Sequence, residues 1–162
     1  MATSEKNLSL YNIDDIPSAE HFKIGLVVSK WNHDITSNLY QGALEVLLKH
    51  GASEANIFKM DVPGAFELPL GAQWLIEKRS VDGVICLGSV IRGETKHFDF
   101  VCEAAAMGIK DVGLKFSKPV IFGVLTDNNK QQAIDRSGGK HGNKGVEAAV
   151  ALLQMLGNSE IV

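Results

Sequence analysis

The sequence predicts an α/β fold of three layers, a four-stranded parallel sheet with helices packed on both faces. Two observations carry this. Short runs rich in apolar and β-branched residues alternate with longer segments whose apolar residues recur at helical spacing. The runs are apolar nearly throughout, the pattern of strands covered on both sides. Strand–helix alternation of this kind builds a parallel sheet.

The first run, "FKIGLVVS" (residues 22–29), reads as a strand. A helix follows, with Ile35, Leu39, Ala43, Val46 and Leu47 on one face and Gly51 just past its end. The second run is "NIFKMDV" (residues 56–62). After it, Phe66, Leu70, Trp74 and Leu75 recur at helical spacing, with Pro63 near the start of that helix. The third run, "GVICLGSVI" (residues 83–91), is apolar almost throughout. Phe98, Val101, Cys102, Ala105 and Ile109 then mark the inner face of a third helix. "PVIFGVLT" (residues 119–126) is the fourth run. A last helical region, 128–156, is broken by "SGGKHGNKG". Right-handed crossovers leave few strand orders, and the flavodoxin-like order 2-1-3-4 is expected. The polar residues 1–20 read as an extended arm, and residues 1–162 as a single domain.

Composition narrows the function. The net charge of -3 offers no basic surface for nucleic acid or a membrane. Cys86 and Cys102 sit in apolar stretches without metal spacing and read as free, buried thiols in a reducing compartment. The first residues lack a hydrophobic signal core, and no apolar run reaches membrane-spanning length. A cytoplasmic protein is the expectation.

Open parallel sheets bind ligands at the carboxyl ends of their strands. "KWNHD" follows the first run, "DVPGAFE" the second and "RGETKH" the third. Trp31, beside Asn32, is either a partly buried core residue or a stacking platform for a flat heterocycle. Glu67 is either a surface carboxylate favoured by a helix dipole or a ligand-facing group. Gly64 would let backbone amides approach a ligand. His97 falls in the first turn of a helix for which Thr95 is a candidate N-cap. The positive end of a helix disfavours a charged imidazole, and a neutral one can take a proton. The plain alternative is a surface histidine. "RSGGKHGNKG" looks like an anion loop, but it has the wrong glycine spacing for a Walker loop, and no Ser or Thr follows Lys140. Its cations, with Arg136 and Lys144, also fit a solvated face.

Several stretches together resemble a known family. "VVSKWNHDIT", "DVPGAFELP", "LGSVIRGETKHFDFVCEAA", "FGVLTDNN" and "AIDRSGGKHGNKGVEAA" occur in order from about Phe22 to the C-terminus. They resemble 6,7-dimethyl-8-ribityllumazine synthases of riboflavin biosynthesis. "PGAFELP" and "GNKGVEAA" are the most specific. The resemblance implies condensation of 5-amino-6-(D-ribitylamino)uracil with 3,4-dihydroxy-2-butanone 4-phosphate, losing phosphate and water, with neither cofactor nor metal.

It also implies roles for particular residues. Trp31 would stack on the pyrimidine beside Asn32. Ala65, Phe66 and Glu67 would hold the ribityl chain and ring edge, and Val90 and Ile91 the pyrimidine through their backbone. Gly93, Glu94 and Thr95 would form the phosphate turn, with His97 transferring protons. Glu94 departs from the family's small residue, so its carboxylate must point away from the phosphate. Phe122, Arg136 and Lys144 would reach the site from a neighbouring subunit, Arg136 gripping the phosphate. The family forms pentamers, and some members pack twelve of them into an icosahedral shell. The short "RSGGKHGNKG" leaves no room for the insertion of members that stop at the pentamer. Association with riboflavin synthase is a further implication. Two alternatives stay open: a non-catalytic flavin- or ribityl-binding module of the same fold, and a related riboflavin synthase.

Overall fold

The computed structural model describes residues 7–161. The sheet has four parallel strands in the order β2-β1-β3-β4, as the sequence predicts. They are β1 (Ile24–Ser29), β2 (Ile57–Val62), β3 (Gly83–Ile91) and β4 (Val120–Asp127). The connecting helices are α1 (His33–Lys49), α2 (Leu68–Arg79) and α3 (His97–Phe116). The register sets Ile24 beside both Ile57 and Gly83, and carries β3 and β4 on together to Ile91 and Asp127. All these strands end on the same side, where the ligand-facing residues were expected.

The apolar run of β3 follows from its two covered faces. Ile85 and Leu87 point into a cluster with Leu39, Leu47 and Leu152. Val84 and Cys86 point the other way, towards Leu68, Leu75 and Ile109. Each fully buried side chain of this size contributes about 1.5–3 kcal/mol, so no polar residue is tolerated in the middle of the strand. The first cluster lies under α1 and a C-terminal helix, the second under α2 and α3.

The α1 terminus is built as its sequence predicts. Gly51 has φ +92°, its N–H donates to Leu48 O at 3.0 Å, and Ala52 N–H donates to Leu47 O at 3.0 Å. These two bonds form a Schellman cap, which needs the left-handed residue that glycine supplies.

Helix α2 corrects the sequence reading in phase. It starts at Leu68, with Pro69 in its first turn, and Pro63 instead precedes a 3-10 turn at Ala65–Glu67. Its buried face is Leu68, Gly71, Ala72, Leu75 and Ile76, while Phe66, Leu70 and Trp74 are exposed. The short turn shifts the helix start and rotates the stripe. In α3, Phe98, Ala105 and Ile109 are buried as expected, but Val101 and Cys102 are only half-buried. Cys86 is buried, and burial pushes its thiol pKa far up. Cys102 is a free thiol as well; burial first, and then Asp99, raises its pKa.

The broken last region resolves into α4 (Lys130–Arg136), a small antiparallel hairpin of β5 (Ser137–Gly139) and β6 (Gly142–Asn143), and α5 (Lys144–Ser159). Gly138 and Gly142 have φ +114° and +80°. The glycines that look like an anion loop therefore serve a tight hairpin. The first described residues lie against it, with Leu8 N–H donating to His141 O and Asn143 N–H to Ser9 Oγ. The arm then makes a 3-10 turn at Ile13–Asp15, and Ala19 N–H donates to His50 O at the end of α1. Residues 1–6 of the expected arm lie outside the described residues. Among the described residues no helix is long and apolar enough to cross a membrane.

Candidate active site

The ends of β1 and β2 are laced together just where the chain turns towards α1. Lys30 N–H donates to Val62 O at 2.8 Å and Trp31 N–H to Pro63 O at 3.2 Å. Asn32 then adopts a left-handed conformation, φ 56°, which asparagine tolerates better than most residues. Its side-chain amide donates to Ser89 O of β3 at 2.9 Å. Thr36 Oγ1, buried, donates to Ser29 O at 2.8 Å. These bonds fix the backbone around Trp31 and leave its indole 72% exposed. Trp31 is therefore not a core residue.

Trp31 stands at the mouth of a cleft of about 580 Å³. Ala65, Phe66 and Glu67 line one side of it, from the 3-10 turn after β2. The Glu67 carboxylate accepts from Gly64 N–H at 2.9 Å, which holds the turn closed. Gly64 is extended, at φ -147°, so its backbone conformation does not require glycine. Val90 and Ile91, at the end of β3, form the floor.

Gly93, Thr95 and His97 close the far side. The expected cap is displaced by one residue. Lys96 occupies the N-cap position, while Thr95 Oγ1 accepts from His97 N–H at 3.3 Å. His97 is thus the first residue of α3 and faces the cleft. Glu94 is exposed and is not part of the lining. Asn32 does not line the cleft either; it acts on the neighbouring Ser89, which does.

Three of the expected residues lie elsewhere on the chain. Phe122 sits in β4, at the open edge of the sheet, and lines a second groove of about 700 Å³ with Leu114 and Met155. Arg136 ends α4, with Nη1 3.8 Å from Asp127 Oδ1 and donating to Gln132 O at 3.5 Å. Lys144 opens α5 and pairs with Glu147. Asp127 is 5% exposed, and its Oδ2 has no hydrogen-bond partner among the described residues. Burial raises its pKa, against the opposing pull of Arg136.

Sequence reasoning missed Ser89, Phe98 and Val101 as lining residues. Strand and helix periodicity assigned them to the core, and periodicity does not tell a core wall from a cleft wall. The lining contains one carboxylate, Glu67, and neither lysine nor arginine. A phosphorylated ligand there would meet apolar walls, a histidine and the amides at the start of α3, but no permanent cation.

Comparison with known proteins agrees with this arrangement. The family model for 6,7-dimethyl-8-ribityllumazine synthase matches residues 21–160. A protein of that name from Cytophaga hutchinsonii is 61% identical over 156 residues, 96% of this chain and 98% of that protein. The one from Flavobacterium johnsoniae is 55% identical over 155 residues, covering 96% of this chain and 82% of that protein. The one from Porphyromonas gingivalis is 47% identical over 161 residues, 99% of this chain and 100% of that protein. With the strand order, the cleft at the carboxyl edge and these matches in agreement, the chain belongs to the 6,7-dimethyl-8-ribityllumazine synthase family.

Proposed function

We propose that this chain is the transferase its relatives are named for. It condenses 5-amino-6-(D-ribitylamino)uracil with 3,4-dihydroxy-2-butanone 4-phosphate, forming 6,7-dimethyl-8-ribityllumazine with loss of phosphate and water. The supporting observation is that residues from three strand ends, Trp31, Glu67, Val90 and His97 among them, line one cleft. Trp31 stacks on the pyrimidine, Asn32 braces it, and Ala65, Phe66 and Glu67 take the ribityl chain. Val90 and Ile91 meet the ring through their backbone. The turn carrying Gly93 and Thr95 receives the phosphate, and Glu94, outside the lining, points away from it. His97 moves protons during imine formation and phosphate loss. Holding the two reactants in register supplies much of the acceleration.

The cleft lacks a permanent cation, and this supports a site completed by a second subunit. Phe122, Arg136 and Lys144 lie off the cleft of their own chain. In a ring of subunits they serve the neighbour's cleft, with Arg136 as the phosphate grip. Exposed Phe100, Met107 and Leu114 recur every seventh residue on α3, an apolar stripe suited to packing between copies. The assembly we propose is a pentamer, twelve of which form an icosahedral shell in the cytoplasm. A riboflavin synthase, which would consume the product, is the natural associate. The non-catalytic binding module gains nothing from the three relatives described above, which carry the synthase name, and neither does the riboflavin synthase reading. Mixing both substrates tests the reading by absorbance. The lumazine chromophore should grow in only with enzyme and both substrates. Turnover of lumazine supplied alone would point to a riboflavin synthase instead.

A further inference from the structure

We infer that Arg92, which carries none of the substrate roles above, is the positioning residue for His97, fixing the turn between β3 and α3. The inference rests on the function proposed for this cleft. Residues 92–96 have no helix or strand bonding of their own. A Cβ placed on Gly93 would meet nothing within 4 Å among the described residues, so their packing does not hold the turn on that side. Yet His97 follows it directly, and a small displacement of a reacting group costs much of the rate.

Arg92 closes the turn from outside. Its N–H donates to Asp127 O at 2.9 Å, fastening the start of the turn to the end of β4. Its Nε donates to Asn128 Oδ1 at 3.2 Å and its Nη2 to Asp99 Oδ1 at 3.4 Å. The guanidinium also lies over the Phe98 ring, 4.4 Å from its centroid. One side chain therefore joins the first residue of the turn to two residues after it and to Asn128, just past the end of β4. Phe98, 9% exposed and part of the cleft wall, adjoins His97 in the first turn of α3. Arg92 itself is not in the lining. A planar fork that stacks and donates in two directions is a task for arginine, not lysine. Each contact is weak alone at an exposed site, but all restrain the same short segment.

The test is steady-state kinetics on Arg92→Ala, Arg92→Lys and Asp99→Asn, each also combined with His97→Ala. Thermal melting checks the fold of every variant. Lumazine formation by the unaltered protein is the control: its absence overturns the proposed function, whatever the variants do. Given that activity, Arg92→Ala should lose about tenfold in kcat, the scale of one exposed ion pair plus one cation–π contact. KM for the ribitylaminouracil should hold. Arg92→Lys should resemble Arg92→Ala, and Asp99→Asn should lose less in the same direction. All three losses should vanish once His97 is alanine, because Arg92 acts through it. A loss that persists in full without His97 overturns the inference. So does an Asp99→Asn variant that gains activity, since that would make Arg92 a direct phosphate contact released from its partner.

Discussion

The Arg136 guanidinium lies 3.8 Å from the carboxylate of Asp127, a side chain only 6% exposed at the end of β4. A close, well-formed pair would hold the carboxyl pKa down. Here burial outweighs the attraction, and the pKa rises. The separation is long, and Asp127 Oδ2 has no hydrogen-bond partner among the described residues. Arg136 is therefore only loosely engaged within its own chain.

That relationship predicts how stability changes with pH. A carboxyl with a raised folded pKa binds its proton more tightly in the folded state than in the unfolded one. It favours folding below the ordinary value of 3.8 and loses that contribution as pH rises through the raised one. Asp127→Asn removes the buried charge. Its melting temperature should exceed the parent's at pH 7, and the gap should close on acidification below the ordinary carboxylate range. A variant that melts lower at pH 7 would mean that attraction to Arg136 outweighs desolvation.

Gly145 predicts a different effect. A Cβ on Gly145 would collide with Leu39 O and lie 2.7 Å from Leu39 C, where α5 crosses α1. Backbone cannot yield as a flexible side chain does. Gly145→Ala should therefore destabilise by roughly 1–3 kcal/mol, the usual cost of overpacking. Alanine's better helix propensity would by itself have the opposite sign. Urea unfolding measures it, and an unchanged or higher midpoint would mean that the helices are free to separate at no cost.

The strands were legible because each buried run has two covered faces, as Ile85 and Val84 show by pointing into opposite clusters. The Gly51 cap was legible because left-handed backbone selects glycine. The phase of α2 was not. Phe66, Leu70 and Trp74 repeat at helical spacing but face outwards, and a 3-10 turn decides where that helix begins. Trp31, Ala65, Phe66, Glu67, Val90, Ile91, Gly93, Thr95 and His97 of the cleft lining were legible as strand-end residues, whereas Ser89, Phe98 and Val101 were not. Arg92 was not, because the contact that ties its turn to the next strand end is with Asn128, far along the chain, and because its reach to Asp99 depends on how the turn folds. The hairpin between α4 and α5 looked like an anion loop because glycine serves both purposes.

The assembly can be weighed. The hairpin runs from Ser137 to Asn143 with no excursion between its strands. It leaves no inserted segment to obstruct the packing of pentamers. Native mass measurement across several buffers should find an assembly of twelve pentamers. A mass never exceeding one pentamer would rule out the shell, and a stable monomer would also remove the neighbour's cations from the site.

Arg136 gives the sharpest test of the proposed sharing of the site between subunits. The butanone substrate brings a phosphate dianion to a cleft whose lining supplies only a carboxylate and a histidine as ionisable side chains. A guanidinium can grip two phosphate oxygens in one plane, which a lysine ammonium cannot. Removing one partner of a buried, hydrogen-bonded charge pair costs roughly 2–5 kcal/mol. Arg136→Ala should therefore lose about 30-fold to a few thousand-fold in apparent affinity for the phosphate substrate. Arg136→Lys should fall between. Affinity for the ribitylaminouracil should change little, because Trp31 and Glu67 lie in a cleft that Arg136 of the same chain does not line. Saturation curves for each substrate on each variant decide the matter. Equal weakening of both substrates would trace the loss to the assembly and not to the anion, and an unchanged phosphate-substrate curve would leave Arg136 a solvated helix charge. Mixing Arg136→Ala subunits with His97→Ala subunits separates contact across the subunit boundary from contact within one chain. If Arg136 serves its neighbour, some mixed sites combine an intact His97 with an intact Arg136 from the next subunit. Activity should then rise above that of either variant alone.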